Sequence, residues 1–252
     1  MLHDQYVMER YKEGLTGKGT QTASPKFDFK TPVFKTSNVV DLTPVSELNK
    51  EHPARDYLER RKIEDLDLFY YCPKFKDWTN RQKKTFDTLR QDSARIIIPL
   101  RDKDGTMFGF QGRSLAPKAK IRYITIMLDE SMPKVYGLDR IDPSKEVYVT
   151  EGPFDSHFLT NAIAMCGSDV DLRSFDYRFV YAYDNEPRSR EIVAKIKASI
   201  SSGAKVVIFP KSIKEKDLND MALAGHDVQS LVESNTYSGL EAQLKLNEWK
   251  RV

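Results

Sequence analysis

The stretch EVYVTEGPFDSHFLTNAIAMCGSDVDLRSFDYRFVYAYDNEPRSREIVAKIKASISSGAKVVIFPKSIKEKDLND, residues 146–220, decides the fold. Three runs within it, 146–150 (EVYVT), 179–183 (FVYAY) and 205–209 (KVVIF), are β-branched or aromatic and continuous rather than alternating, as strands buried on both faces are. Helical segments are expected between them at 155–165 and 187–201, the second stopped by Gly203, with a candidate fourth strand at 163–166. Strand–helix alternation with short connections predicts an α/β fold, a parallel sheet flanked by helices. Acids follow each strand at its carboxyl end, where ligands of such sheets bind. Glu151 follows the first strand and Asp184 and Glu186 the second; Asp217 and Asp220 lie in the loop after the third, and Asp155 lies four residues beyond Glu151. Gly152 permits the tight turn that presents Glu151.

Upstream of this stretch the chain reads differently. Asp102-Lys103-Asp104-Gly105 separates the apolar runs 95–100 (RIIIPL) and 106–111 (TMFGFQ), a hairpin signal. Thr43-Pro44 reads as a helix start, and ordered structure is expected from about Asp41. Residues 17–38, rich in Gly, Thr, Ser, Pro and Lys, read as a linker or mobile arm, so 1–40 is assigned as a tail. The remainder divides into a basic α+β segment at 41–140, the parallel sheet at 141–225 and a helical end at 226–252. At that end, Leu240, Leu244 and Trp249 fall on one helical side, expected to pack on the chain's own body rather than to dock a partner.

With 40 Lys and Arg against 37 Asp and Glu the 252-residue chain is near neutral, but the charge is segregated. Residues 74–123 hold 13 bases against five acids, whereas residues 151–191 hold eight acids against four bases. Aromatics among the bases (Phe75, Trp78, Phe86, Phe108, Phe110, Tyr123) suit single-stranded nucleic acid, which needs cations for phosphates and rings for bases. The alternative is a solvated surface over core aromatics, and for Trp78 core packing weighs slightly more than base stacking. The two cysteines, Cys72 and Cys166, stand far apart and read as buried fillers; with four histidines they supply neither a disulfide framework nor a zinc site. His52 and His157 read as surface or capping residues. The absence of an apolar run of about 18 residues excludes a helical membrane span, and no secretory leader is apparent.

Carboxylates converging on one rim repel one another unless cations lie between them. Oxygen donors without His or Cys select hard ions, so Mg²⁺ or Mn²⁺ is expected, and with it phosphoryl or nucleotidyl transfer. Taken singly, Asp155 reads equally as a helix cap and Asp217 as a turn residue; taken together, three acid-bearing strand ends favour a site.

A strand ending in Glu-Gly, a strand ending in Asp-x-Glu and a Lys-Asp-x-Asn-Asp loop (Lys216 to Asp220) resemble the toprim domain shared by primases, topoisomerases and some nucleases. HPARDYLERR (52–61), RIIIPLRDKDGTMFGFQGRSL (95–115), RYITI (122–126) and VYGLDRI (135–141) follow in the order of the polymerase core of bacterial- and phage-type DNA primases. The resemblance spans about residues 50–225. It implies a DNA primase subunit that makes short RNA primers from ribonucleoside triphosphates on single-stranded DNA, with Glu151, Asp184 and Glu186 catalytic. It implies Asp155 and Asp217 as supporting acids around two Mg²⁺ or Mn²⁺ ions. Arg101, Arg113, Arg122, Lys120 and Lys216 would meet template or nucleotide, and Asn219 and Asp220 would shape the loop. Glu186 and Asn185 depart from the family's usual Asp and small residue. The zinc ribbon that normally lies upstream is missing, so a separate zinc-ribbon module and a replicative helicase are expected partners, in the cytoplasm (a host's, for a phage protein). A toprim-type nuclease or a non-catalytic replisome component are the competing readings.

Overall fold

Turn signals between neighbouring apolar runs in the first half and helical connections in the second produce two sheets of different kind. A computed structural model describes residues 41–252 apart from 168, 169 and 173; the tail and linker read at 1–40 lie outside the described residues. The first sheet is antiparallel, ordered β1 (Thr43–Pro44), β2 (Tyr70–Cys72), β3 (Arg95–Arg101), β4 (Met107–Ser114) and β5 (Tyr123–Met127). The expected Asp-Gly hairpin joins β3 to β4. Asp102 Oδ1 accepts from the amides of Asp104 and Thr106, both at 2.9 Å, and Gly105 takes φ +78°, a conformation that costs other residues strain. Thr43-Pro44 does not start a long helix: these residues pair with β2, and only one 3₁₀ turn, Val45–Glu47, follows. α1 (Pro53–Arg60) is capped by His52, whose Nδ1 accepts from Ala54 N, with proline at the first helical position where a missing N–H costs nothing. α2 (Phe75–Gln82) lies across the sheet where Gly112 leaves room for the Phe75 ring: a Cβ at 112 would stand 2.3 Å from Phe75 Cε2.

The second sheet is ordered β11 (Thr236–Tyr237), β10 (Lys205–Val207), β9 (Arg178–Ala182), β7 (Glu146–Thr150), β8 (Ala162–Met165) and β6 (Val135–Tyr136). Its inner four strands are parallel and the two edges antiparallel, so the expected sheet is present with its fourth strand. α3 (Arg190–Ser201) is capped by Ser189 and followed by Gly203 at φ +83°. α4 (Leu218–Leu223), α5 (Val228–Ser234) and α6 (Gly239–Trp249) complete the chain. The helix expected at 155–165 is instead a 3₁₀ turn, Asp155–Phe158, running into β8. The left-handed Asn161 (φ +57°) reverses the chain there, and the AIAM run is buried more completely as a strand than one helical face would bury it. α6 does pack on its own body, but through Ala242, Leu246 and Trp249; Leu240 and Leu244 are 71% and 58% exposed.

One apolar core runs through both sheets, joining Ile96, Ile98 and Phe108 to Val147, Val149 and Ile163. Polar bonds reinforce the joint. Thr125 Oγ1 donates to Cys166 O at 2.9 Å, and His157 bonds the Tyr136 hydroxyl (2.9 Å) and the Asp65 carboxylate (3.1 Å). His157 is thus no surface residue: burial, with Arg140 nearby, pushes its imidazole down to about 4. Cys72 and Cys166 are buried, as expected. Among the described residues no helix is long and apolar enough to cross a membrane.

Candidate active site

β7 ends at Thr150 and delivers Glu151 to the rim of the sheet; β9 ends at Ala182 and delivers Asp184 beside it, the Asp184 amide donating to Glu151 Oε2 at 3.4 Å. Gly152 lacks the Cβ that would stand 2.8 Å from Asp155 Oδ2, so the Asp155 carboxylate folds back toward the same rim. It accepts there from Asn219 N at 3.1 Å. Asp217 caps α4 through Asp220 N (2.8 Å), so its capping role and its place at the rim coexist. Glu151, Asp155, Asp184 and Asp217, from three stretches of chain, line one cavity of about 590 Å³. Its other walls include Gln111 and Tyr123 from the first sheet, and Tyr183 and Lys195.

Crowded negative charge shows in the acid strengths. Burial, together with the carboxylates of Asp217 and Asp184, pushes Asp155 up to about 7. Burial and Glu151 push Asp184 up to about 6 against the pull of Lys216. Two ammonium groups partly offset the repulsion. Lys195 Nζ donates to Glu151 Oε1 (2.7 Å) and Glu191 Oε1 (2.9 Å), and these carboxylates hold its pKa above the ordinary value although burial opposes its charge. Lys216 Nζ lies 3.4 Å from Asp184 and 3.5 Å from Glu186. Glu186 therefore joins the cluster through Lys216 and is not one of the cavity-lining residues.

Among the described residues no three Asp, Glu, His or Cys side chains stand as a ready-made metal cage. The donor set nevertheless suits a hard divalent cation: it is all oxygen, and its excess negative charge is what such an ion relieves.

The basic residues separate into two places. Arg113 lies in β4 opposite Ile96, with its guanidinium 4.7 Å from the Tyr123 ring and 5.3 Å from that of Tyr57, and its Nε is buried without a partner. Arg122 and Lys120 are exposed on the segment leading to Tyr123. Arg101, by contrast, lies five residues along β3 from the position facing Arg113, about 17 Å away at strand spacing, and binds Gly105 O in the hairpin. The structure does not bring it to the cavity. Trp78 is 1% exposed and donates to Asp41, so the core reading holds over base stacking; Phe75, Phe108 and Phe110 are core as well and Phe86 is half-buried against Phe75, leaving Tyr123 as the exposed ring. Lys195 and Arg61 escape the sequence reading. Arg61 binds Asn219 Oδ1 at 2.7 Å and lies over the Tyr57 and Phe154 rings. The only signal for Lys195 is its i,i+4 spacing from Glu191; Arg61 closes the HPARDYLERR motif, which carries the resemblance without assigning that residue a role.

A parallel sheet with carboxylates at its rim, joined to a basic antiparallel sheet, defines a toprim-type nucleotidyl-transfer core. No protein-family model matches the chain. The DNA primase of Enterobacteria phage T4 is 30% identical over 262 residues, an alignment covering all of this chain and 75% of that protein. The RNA polymerase domain of Mycobacterium tuberculosis primase DnaG superposes with a TM-score of 0.57 at 19% identity, over 76% of this chain and 79% of that one. A DnaG primase catalytic domain bound to ssDNA gives 0.52 at 17% identity, over 74% and 72%. The chain belongs to the DNA primases of bacterial and phage type: it is a DNA-directed RNA polymerase that synthesises RNA primers for replication.

Proposed function

We propose that primer synthesis takes place in the cavity bounded by Glu151, Asp155, Asp184 and Asp217, with Glu186 at its edge, and that these five carboxylates hold Mg²⁺ or Mn²⁺, two ions in the full complex. The observation that carries this reading is the gathering of four carboxylates from three stretches of chain on one cavity, two of them with raised pKa values. Bound divalent ions would supply stabilisation of charge on the α-phosphate and on the leaving pyrophosphate.

The chain's own side chains do the rest. Lys216, between Asp184 and Glu186, lies where a triphosphate would be screened, and Lys195 pairs with the Glu151 carboxylate at 2.7 Å. Arg113, held against the Tyr57 and Tyr123 rings, contributes positive charge on the template side, and Tyr123 offers the exposed ring on which a base would stack. Single-stranded DNA would lie along the basic segment through Lys120 and Arg122, a path favoured by the ssDNA-bound state of one structural relative. In this reading 41–140 carries the template, 141–225 the chemistry and 226–252 the brace behind it. A separate zinc-ribbon module and a replicative helicase would choose and deliver the template in the cytoplasm, since Cys72 and Cys166 are both buried and supply no ligand pair.

The test is incubation with single-stranded DNA, labelled ribonucleoside triphosphates and Mg²⁺, with and without a zinc-ribbon protein. Asp184→Ala is expected to abolish primer synthesis while leaving DNA binding nearly intact. Primers made by that variant at the wild-type rate would refute the assignment.

A further inference from the structure

Asn185 stands between two acids of the site, where a small residue is usual for the family, and its bonds explain what the larger side chain does. Its backbone N–H donates to Lys216 O at 2.6 Å, and its Nδ2 to Ile213 O (3.3 Å) and Glu215 O (3.0 Å). Its Oδ1 accepts from Trp249 Nε1 at 2.9 Å. The loop that carries Asp184 and Glu186 is thereby tied to the loop that carries Lys216 and Asp217, and both to the last turn of α6. Arg251 N donates to Pro187 O at 2.7 Å, closing the same joint one step along. α6 itself is anchored: Ala242, Leu246 and Trp249 pack with Ile192, Ile196 and Ile200 of α3, the helix that brings Lys195 to Glu151.

We infer that Asn185 is a positioning residue for the acidic site, and that the C-terminal helix sets the spacing of the two acid-bearing loops through the Trp249–Asn185 hydrogen bond. This rests on the reading of Asp184 and Glu186 as metal-holding carboxylates. The backbone bond to Lys216 O joins the two loops at one point; the side chain adds two further bonds through its donor end and the tie to α6 through its acceptor end, which Gly or Ala lacks. The partly buried amide oxygen loses its indole donor if Trp249 changes, and the loops can then drift apart.

The experiment is a double-mutant cycle on the full chain, with Trp249→Phe, Asn185→Ala and the double variant. Mn²⁺ is the probe, its free concentration followed by electron paramagnetic resonance. Trp249→Phe is expected to raise the Mn²⁺ half-saturation concentration about tenfold and to lower kcat while KM for single-stranded DNA stays unchanged. Asn185→Ala should do at least as much, and the double variant no more than Asn185→Ala alone. Since the chain has two tryptophans, a Trp78→Phe background leaves Trp249 as sole reporter. Its emission should change on Mn²⁺ addition with the midpoint seen by resonance.

Unchanged Mn²⁺ midpoints in both folded single variants, or strictly additive effects in the double, overturn the inference. If Trp249→Phe does not fold, Asn185→Ser removes the same bond without touching helix packing, and its Mn²⁺ midpoint decides by the same criterion. Asp184→Ala separates the two claims: Mn²⁺ binding that survives in it sinks the site reading itself. Loss there with no effect of Trp249→Phe sinks the positioning role alone.

Discussion

Asn in place of Asp155 keeps an oxygen for the Asn219 amide and deletes one charge from the crowded rim. The Asp155 carboxyl is pushed from 3.8 up to about 7, first by burial and then by Asp217 and Asp184. At 1.36 kcal/mol per pH unit that difference sets a ceiling of about 4 kcal/mol, and partial contact with cavity water brings the effect to roughly 1–2 kcal/mol. Because the folded value lies above the unfolded one, the native protein holds a proton that the unfolded chain has released. The contribution is complete below the unfolded pKa of about 4 and is lost as pH rises through about 7. In EDTA, thermal unfolding should therefore show the wild-type Tm falling between pH 5 and pH 8. Asp155→Asn should flatten that slope and raise Tm at pH 8 by roughly 2–8 °C. Asp184, raised to about 6, leaves the variant a shallower residual slope. Added Mg²⁺ should restore the wild type more than the variant. A variant less stable than wild type at pH 8, or one with an identical pH slope, would refute the reasoning.

Gly112→Ala should lower the urea midpoint by the equivalent of about 1–3 kcal/mol, since the new methyl meets the Phe75 ring at 2.3 Å. Trp78→Phe should cost about 1–2 kcal/mol through the lost bond to Asp41 and leave single-stranded DNA binding unchanged; weakened DNA binding would restore the base-stacking role. Arg113→Gln should weaken DNA or nucleotide binding and lower the salt slope by about one, measured by fluorescence anisotropy, whereas Arg101→Gln, at the hairpin end, should leave both unchanged.

Much of the second sheet was legible because its strands carry uninterrupted apolar runs between turn signals, although the structure buries Val147, Val149, Val180 and Ala182 more fully than Tyr148, Phe179 and Tyr181 between them. Glu151 and Asp184 followed from that, because a strand end fixes where the next residues must emerge; Asp155 and Asp217 lie further on, in the turn and the loop that return to the same rim. What stayed hidden was everything set by packing between distant segments. Arg101 and Arg113 look alike in sequence, and only the β3–β4 register shows that they lie at opposite ends of one sheet. Trp78 sits among lysines and arginines, yet helix α2 turns it inward against Phe110. The 155–165 segment has helix-compatible residues, but a buried strand position for 162–165 outweighed local propensity. Lys195 shares a helix face with Glu191, a pattern common on surface helices that gives no hint of Glu151.

The apolar core that runs unbroken from Ile96 and Phe108 to Val147 and Ile163 has a mechanical consequence. The cavity walls from the first and second sheets both rest on that packed interior, so a change of volume within it would reach Gln111 and Tyr123 on one side and Glu151 and Asp184 on the other at once.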